Sequence, residues 1–119
     1  MNYAAIINEA NEAAGLAAQI WLEKAKPKYE VVEEFPVKGR SYGTLLDVCG
    51  NAWLTPKDKR NAHYKAMKRL GYIKHDSWRP THALANRQEK GLNEASAMAA
   101  LQVFERHGIS CFTVYSYVD

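Results

Sequence analysis

Residues 55–79, TPKDKRNAHYKAMKRLGYIKHDSWR, carry the clearest secondary-structure signals of this 119-residue chain and half of its Lys and Arg residues. The segment holds eight basic residues against two aspartates. The residues on either side of it have a slight acidic excess, so the net charge of +3 is concentrated here. Such a segregated positive field predicts a polyanionic or acidic partner.

A helix with marked ends is predicted within this segment. Thr55 is a typical N-cap residue, Pro56 is favoured at the first helical position, and Gly71 is typical just past a helix end. The inner face predicted from the spacing is His63, Ala66, Met67 and Leu70. The remaining side chains are expected to form an outward binding face that extends past the helix. Its predicted members are Lys57, Arg60, Tyr64, Lys65, Lys68, Arg69, Lys74, Trp78 and Arg79.

Upstream of this segment, the patterns predict one long helix and two strands. Residues 2–24 place apolar side chains every three to four positions, and this face narrows to alanine in the middle, so another helix or a sheet can approach closely. Alternating residues predict a strand over 29–35, and an apolar run predicts a central strand over 44–54. Gly50 within that run indicates a bulge or a close approach by another backbone.

Downstream, the patterns predict a short strand over 79–85, a helix over 92–107 and a last strand over 109–118. Asn93 is the expected N-cap of that helix, and Gly108 is expected to end it in the left-handed conformation. The whole chain is therefore predicted to be a single compact α+β domain of about three helices packed on a four-stranded mixed sheet, in the order α-β-β-α-β-α-β.

Motifs for catalysis, metal binding and membrane insertion are missing from the sequence. The four histidines and two cysteines lack the close spacing of a zinc site, and no glycine-rich phosphate loop is present. Cys49 and Cys111 lie in apolar, strand-like contexts that are typical of buried thiols. We therefore expect no metal, no cofactor and no enzymatic activity. Because no membrane span or signal peptide is apparent, we expect a soluble cytoplasmic protein.

The basic segment leaves several classes of function open. Its cations are interleaved with Tyr64, Tyr72 and Trp78, a mixture suited to pairing with phosphates and stacking on bases, so direct nucleic-acid binding is one hypothesis. An acidic protein surface would satisfy the same charges. A small enzyme that uses Cys49 or Cys111 is a further hypothesis, although no local motif marks either thiol as activated.

Two segments carry a family resemblance: DVCGNAWL at 47–54 and KGLNEASAMAALQVFERHGISCFTVYSYVD at 90–119. They resemble a group of small uncharacterised tailed-phage proteins with a Cys-Gly-x-Ala-Trp strand and an alanine-rich C-terminal helix ending in Gly-Ile before a last strand. The matching residues are Cys49, Gly50, Ala52, Trp53, Gly108, Ile109 and Asp119. Ser116 and Tyr117 stand where the group has Ser-Arg, so no role of that arginine carries over.

This resemblance implies a phage origin and a non-catalytic role. Small phage proteins of this kind are frequently inhibitors of host functions, including anti-CRISPR and other anti-defence proteins that act by occlusion. The expected function is therefore docking through the basic face onto a host protein or nucleoprotein complex with an acidic surface, in the cytoplasm of the infected host cell. Direct nucleic-acid binding as a phage accessory protein is the alternative, followed by a cysteine-dependent enzyme.

Overall fold

The computed structural model describes residues 1–25 and 49–118 of the chain. Within them lie three helices and a sheet of two antiparallel strands, which together form a small α+β fold. The elements in chain order are α1 (Tyr3–Lys24), β1 (Gly50–Pro56), α2 (Ala62–Arg69), α3 (Lys90–Arg106) and β2 (Phe112–Val118).

The predicted four-stranded mixed sheet is wrong, because the described residues contain a two-stranded antiparallel sheet. The strand predicted over 79–85 is replaced by a bend and turn at 82–86. There the backbone N–H groups of Ala85 and Arg87 donate to carbonyls three residues earlier, so they are not offered to a neighbouring strand. The strand predicted over 29–35 lies outside the described residues.

The start predicted for the basic helix is also wrong. Thr55 does not cap it, because β1 continues through Pro56 in register with β2. The helix begins six residues later than Pro56, at Ala62. Its cap is Asn61, whose side-chain oxygen accepts hydrogen bonds from the backbone N–H groups of His63 and Tyr64 at 2.8 and 3.3 Å.

Both helix ends predicted from glycine are confirmed. Gly71 follows α2 with a φ of 89°, and Gly108 follows α3 with a φ of 82°. Past each glycine, a backbone N–H reaches back to the helix: Tyr72 donates to the carbonyl of Met67, and Ile109 donates to that of Phe104. These bonds satisfy terminal carbonyls in the pattern of a Schellman motif.

The alanine face of α1 packs against α3, which confirms the predicted close approach. Ala10, Ala14 and Ala18 of α1 have no exposed surface, and neither do Ala97 and Ala100 of α3. Small side chains at these positions allow the two helix axes to approach closely. The α1–α3 pair forms one layer of the core, and α3 also contacts both strands.

Phe104 of α3 lies at the centre of an aromatic core. Its ring meets Trp78 edge-on at a centroid distance of 5.1 Å and contacts Phe112 at 5.4 Å. Phe112 in turn contacts Tyr64 of α2 at 6.3 Å. All four side chains are at most 4% exposed. Tyr64 and Trp78, which were predicted to point outward, are therefore core residues.

The prediction that Asn93 caps the third helix is wrong. α3 begins three residues earlier, at Lys90, and the Asn93 side chain is buried within it. The amide group donates to the carbonyl oxygens of Gly50 at 2.9 Å and Arg87 at 3.2 Å. Asn93 thus joins α3 to the start of β1.

Gly50 makes the close backbone approach predicted for it. A Cβ atom at this position would lie 2.5 Å from the carbonyl oxygen of Tyr117 and 2.8 Å from Cβ of Lys90. Neither neighbour is the far end of a flexible side chain. Any larger residue at position 50 must therefore separate β1 from β2 or from α3.

We expect Gly50→Ala to lower the melting temperature more than Gly71→Ala does. The first substitution forces backbone atoms apart, whereas a Cβ at Gly71 meets no atom within 4 Å. The stability of the Gly71→Ala control should therefore fall mainly by the cost of placing alanine in the left-handed conformation, about 1–2 kcal/mol. Thermal unfolding of the two purified variants measures the difference. A loss for Gly50→Ala no greater than that of Gly71→Ala would contradict the close approach.

Candidate binding surface

The predicted binding face is exposed at seven of its nine positions. These positions are Lys57, Arg60, Lys65, Lys68, Arg69, Lys74 and Arg79. Tyr64 and Trp78 lie in the core instead, so they cannot contact a partner directly. The predicted inner face is also shifted: Met67 is buried, but Leu70 is 58% exposed.

The Asp76 carboxylate accepts hydrogen bonds from three side chains of the basic segment. Oδ1 accepts hydrogen bonds from the Tyr64 hydroxyl at 2.8 Å and from Lys68 Nζ at 3.1 Å, and Oδ2 accepts from Lys59 Nζ at 3.3 Å. These bonds, the one from Tyr64 first, lower the pKa of Asp76 to about 2. Burial, followed by the hydrogen bond to Asp76, raises the pKa of Tyr64 to about 12. The positive charge of Lys68 is therefore balanced by the neighbouring Asp76 carboxylate.

Asp76 is held at the tip of a two-residue hairpin. Lys74 and Ser77 exchange backbone hydrogen bonds of 3.0 and 2.9 Å across it. His75 and Asp76 both have positive φ, at 53° and 56°, which a type I′ turn requires at its two central positions. Asp and His are among the residues other than glycine that enter this region most readily.

Directly after the hairpin, the chain places Trp78 in the core and Arg79 on the opposite face of the sheet. Trp78 exchanges backbone hydrogen bonds of 3.0 and 2.9 Å with Leu54 of β1. This pairing fixes the direction of the chain, so Trp78 packs inward against Phe104 and the next side chain, Arg79, is exposed. The turn therefore positions Asp76, Trp78 and Arg79 together.

Between residues 57 and 74, four exposed cations have no carboxylate partner among residues 1–25 and 49–118. We term them the open cations: Lys57, Lys65, Arg69 and Lys74. Arg60 differs from them because its Nε lies 3.5 Å from Asp58. Lys65 and Arg69 are four residues apart on α2 and so share one face of the helix. The open cations provide positive charge that no described neighbour neutralises.

Three aromatic side chains occupy the outer face of the β1–β2 ribbon. The ring centroid of Trp53 lies 5.2 Å from that of Tyr115 and 5.3 Å from that of Tyr117, and the two tyrosine rings are 6.2 Å apart. Tyr115 is 50% exposed. With Thr55, these rings line an open groove of about 420 Å³. We term Trp53, Tyr115 and Tyr117 the aromatic face.

Arg79 connects the aromatic face to a second cavity. Its guanidinium carbon lies 4.2 Å from the ring centroid of Trp53, which is cation–π geometry. On the other side of Trp53 is a cavity of about 760 Å³, here termed the loop cavity, which is lined by Arg79, Lys74 and His75 among others. Trp53 borders both spaces, so they form neighbouring parts of one surface.

The aromatic face was not predicted as a binding site. Trp53 lies in the apolar run predicted to be a central strand, yet it is only partly buried. Tyr115 and Tyr117 lie in the predicted last strand, over 109–118, and were not predicted to contact a partner. Successive side chains alternate between the two faces of a strand, and Trp53 and Tyr115 share a face because the register places them opposite each other. The necessary signal was thus the pairing of β1 with β2, which neither strand indicates alone.

His82 and Ser96 form a Ser–His pair that does not have the geometry of a nucleophile and its base. His82 Nε2 lies 2.9 Å from Ser96 Oγ, and the backbone N–H of Leu84 donates to Nδ1 at 3.2 Å. Because Nδ1 accepts and burial lowers the pKa of His82, the neutral ring carries its proton on Nε2. Nε2 therefore donates to Ser96, which is itself 2% exposed, and cannot take its proton.

The two thiols differ in their surroundings. Cys111 is 1% exposed, and burial raises its pKa, which confirms the predicted buried thiol. Cys49 is only partly buried, with Sγ 4.0 Å from Oε1 of Gln88, so that prediction is wrong for Cys49. Neither cysteine is in a disulfide. In the part of the chain that the structure describes, no cluster of His, Cys, Asp or Glu is arranged to hold a metal ion.

Comparison with known proteins gives no match to a protein-family model, a curated protein or a solved structure. The resemblance to tailed-phage proteins therefore rests on its motifs and stays a prediction. Among the described helices, none combines the length and the apolar character needed to cross a membrane.

We expect Asp76→Asn to flatten the acid dependence of stability. The folded pKa of about 2 lies below the ordinary value of 3.8. The carboxylate therefore contributes stability that is complete above about pH 4 and is lost as the pH falls towards about 2. Asparagine also tolerates the left-handed turn, so the change tests the charge.

Urea unfolding at a series of acidic pH values measures this contribution. Tyr64→Phe is the intermediate control, because it removes one hydrogen bond to Asp76 and leaves both lysines in place. An Asp76→Asn variant that loses stability with acid as steeply as the unsubstituted protein would show that Asp76 does not carry this dependence.

Proposed function

We propose that this protein is a non-catalytic nucleic-acid-binding protein that holds the phosphate backbone against the open cations of α2 and the following hairpin. One observation carries the proposal: cations without acidic partners adjoin aromatic rings that are at least partly exposed. Lys74 and Arg79 line the same cavity as Trp53. Nucleic acids offer both a charged backbone and flat bases, and so fit both features.

The mode of binding follows from the type of contact available. Lysine and arginine bind phosphates irrespective of sequence, and binding releases counterions from the nucleic acid. α2 has eight residues and follows strand β1, so it is not the second helix of a helix-turn-helix motif. Affinity governed by phosphate contacts and strongly dependent on salt is therefore expected, with little preference for a particular sequence.

An acidic protein surface is the competing partner, and it includes the host or defence complex expected from the phage resemblance. Tyrosine, tryptophan and arginine are also enriched at protein interfaces. The two partners differ in what the open cations would contact, since carboxylates replace phosphates. Binding to nucleic acid in the purified system, without another protein, separates the two cases.

We expect Lys65→Glu and Arg69→Glu each to weaken nucleic-acid binding and to reduce its salt dependence. Neither side chain is in an ion pair with a described residue, so reversal introduces repulsion towards phosphate without breaking such a pair. The slope of log affinity against log salt should decrease in magnitude by about 0.7–0.9 for each lost phosphate contact. Fluorescence anisotropy of a labelled oligonucleotide at several salt concentrations measures both effects.

The matched control is Lys24→Glu, which changes the net charge equally at an exposed position in the last turn of α1. It should weaken binding less than either reversal on α2. Equal weakening by all three variants would show that net charge, and not this surface, governs affinity. No binding of single-stranded or duplex DNA at low salt would overturn the proposal and favour an acidic protein partner.

A further inference from the structure

We infer that the aromatic face is a stacking platform for unpaired bases, so that the nucleic acid held by this protein is single-stranded. This inference rests on the proposed function and adds the class of ligand. It concerns Trp53, Tyr115 and Tyr117 on the ribbon, together with Arg79.

The first argument is the placement of the rings. Trp53 lies directly opposite Tyr115 in the antiparallel register, and Tyr117 is two residues further along on the same face. Cross-strand aromatic pairs stabilise a ribbon, but they do not require an open groove above them. Here Tyr115 is half exposed and the three rings line such a groove. Flat aromatic surface is thus available to a ligand.

The second argument is the chemistry of Arg79. Its guanidinium stacks over Trp53 and forms no ion pair with a described carboxylate. A guanidinium held on a ring keeps its N–H donors in a plane, where they can bind a phosphate, and its own face can stack on a base. Arg79 thus places positive charge at the edge of the aromatic face.

The third argument is the path that the surface offers. Trp53 lines both the groove of the aromatic face and the loop cavity, which is also lined by Lys74 and His75. A strand that stacks its bases on the ribbon and crosses Trp53 therefore meets Arg79 and then Lys74. Stacking followed by backbone pairing is the arrangement by which proteins bind single strands without reading their sequence.

Duplex nucleic acid fits this surface less well. A two-stranded ribbon can enter the major groove, but there it reads base edges, a task performed by polar and charged side chains. The faces of paired bases are covered by their neighbours in the stack. Rings such as Trp53 and Tyr115 can use their flat surface only where bases are unpaired.

The test compares an oligothymidylate of about 12 nucleotides, a length within the usual range of single-strand sites, with a duplex of equal length. We expect tighter binding of the single strand and a change in tryptophan fluorescence as a base stacks on the aromatic face next to Trp53. Tyr115→Leu should weaken single-strand binding by about tenfold, because it removes one stacking surface. Duplex binding should not change. Tyr115→Phe keeps the ring and should bind as the unsubstituted protein does.

The outcomes separate this inference from the proposed function. Equal affinity for both forms of DNA, with no effect of Tyr115→Leu but weaker binding by Lys65→Glu, would overturn the stacking platform and retain phosphate binding. Absence of binding to either DNA would overturn both.

A second variant covers the case in which the tyrosine change affects folding. If Tyr115→Leu lowers the melting temperature substantially, the single-strand affinity of Arg79→Gln tests the inference instead. Arg79 is exposed and outside the core, so its substitution should leave the fold intact. A selective loss of single-strand affinity at an unchanged melting temperature supports the platform. Unchanged single-strand affinity in Arg79→Gln overturns it.

Discussion

The hydrogen bond between the buried Tyr64 hydroxyl and the Asp76 carboxylate is the contact on which the arrangement of this surface depends. It allows a phenol to lie in the core without leaving its hydroxyl unpaired. It also fixes the hairpin tip to α2, and the chain leaving the hairpin then places Trp78 inside and Arg79 outside. One polar contact therefore connects the packing of the core to the position of an exposed cation.

The β1–β2 ribbon serves two purposes because its side chains alternate. Leu54 and Phe112 face α3 and are almost completely buried. Trp53 and Tyr115, on the other face, remain accessible. Burial of the inner face removes apolar surface from water and so stabilises the fold. The outer face, in contrast, leaves aromatic surface accessible to solvent. This division makes the ribbon both a structural element and a candidate binding surface.

Local signals in the sequence were sufficient for features that depend on nearby residues. The long first helix and the left-handed glycines at 71 and 108 follow from short-range hydrogen bonds and periodicity, and they were predicted correctly. The start of α2 was predicted incorrectly. Thr55 and Asn61 are both suitable cap residues, and the pairing of β1 with a distant strand decides between them. The same long-range pairing decides the aromatic face: Arg79 was predicted as a binding residue, but the ring that it contacts, Trp53, was not.

The register that pairs Trp53 with Tyr115 has a consequence for when the surface comes into existence. The two residues are far apart in the chain, so no fragment that stops before β2 can contain the aromatic face. During synthesis, Trp53 and the open cations emerge from the ribosome well before Tyr115 and Tyr117. A chain that has emerged only as far as α2 and the hairpin would thus carry the open cations without the complete aromatic face.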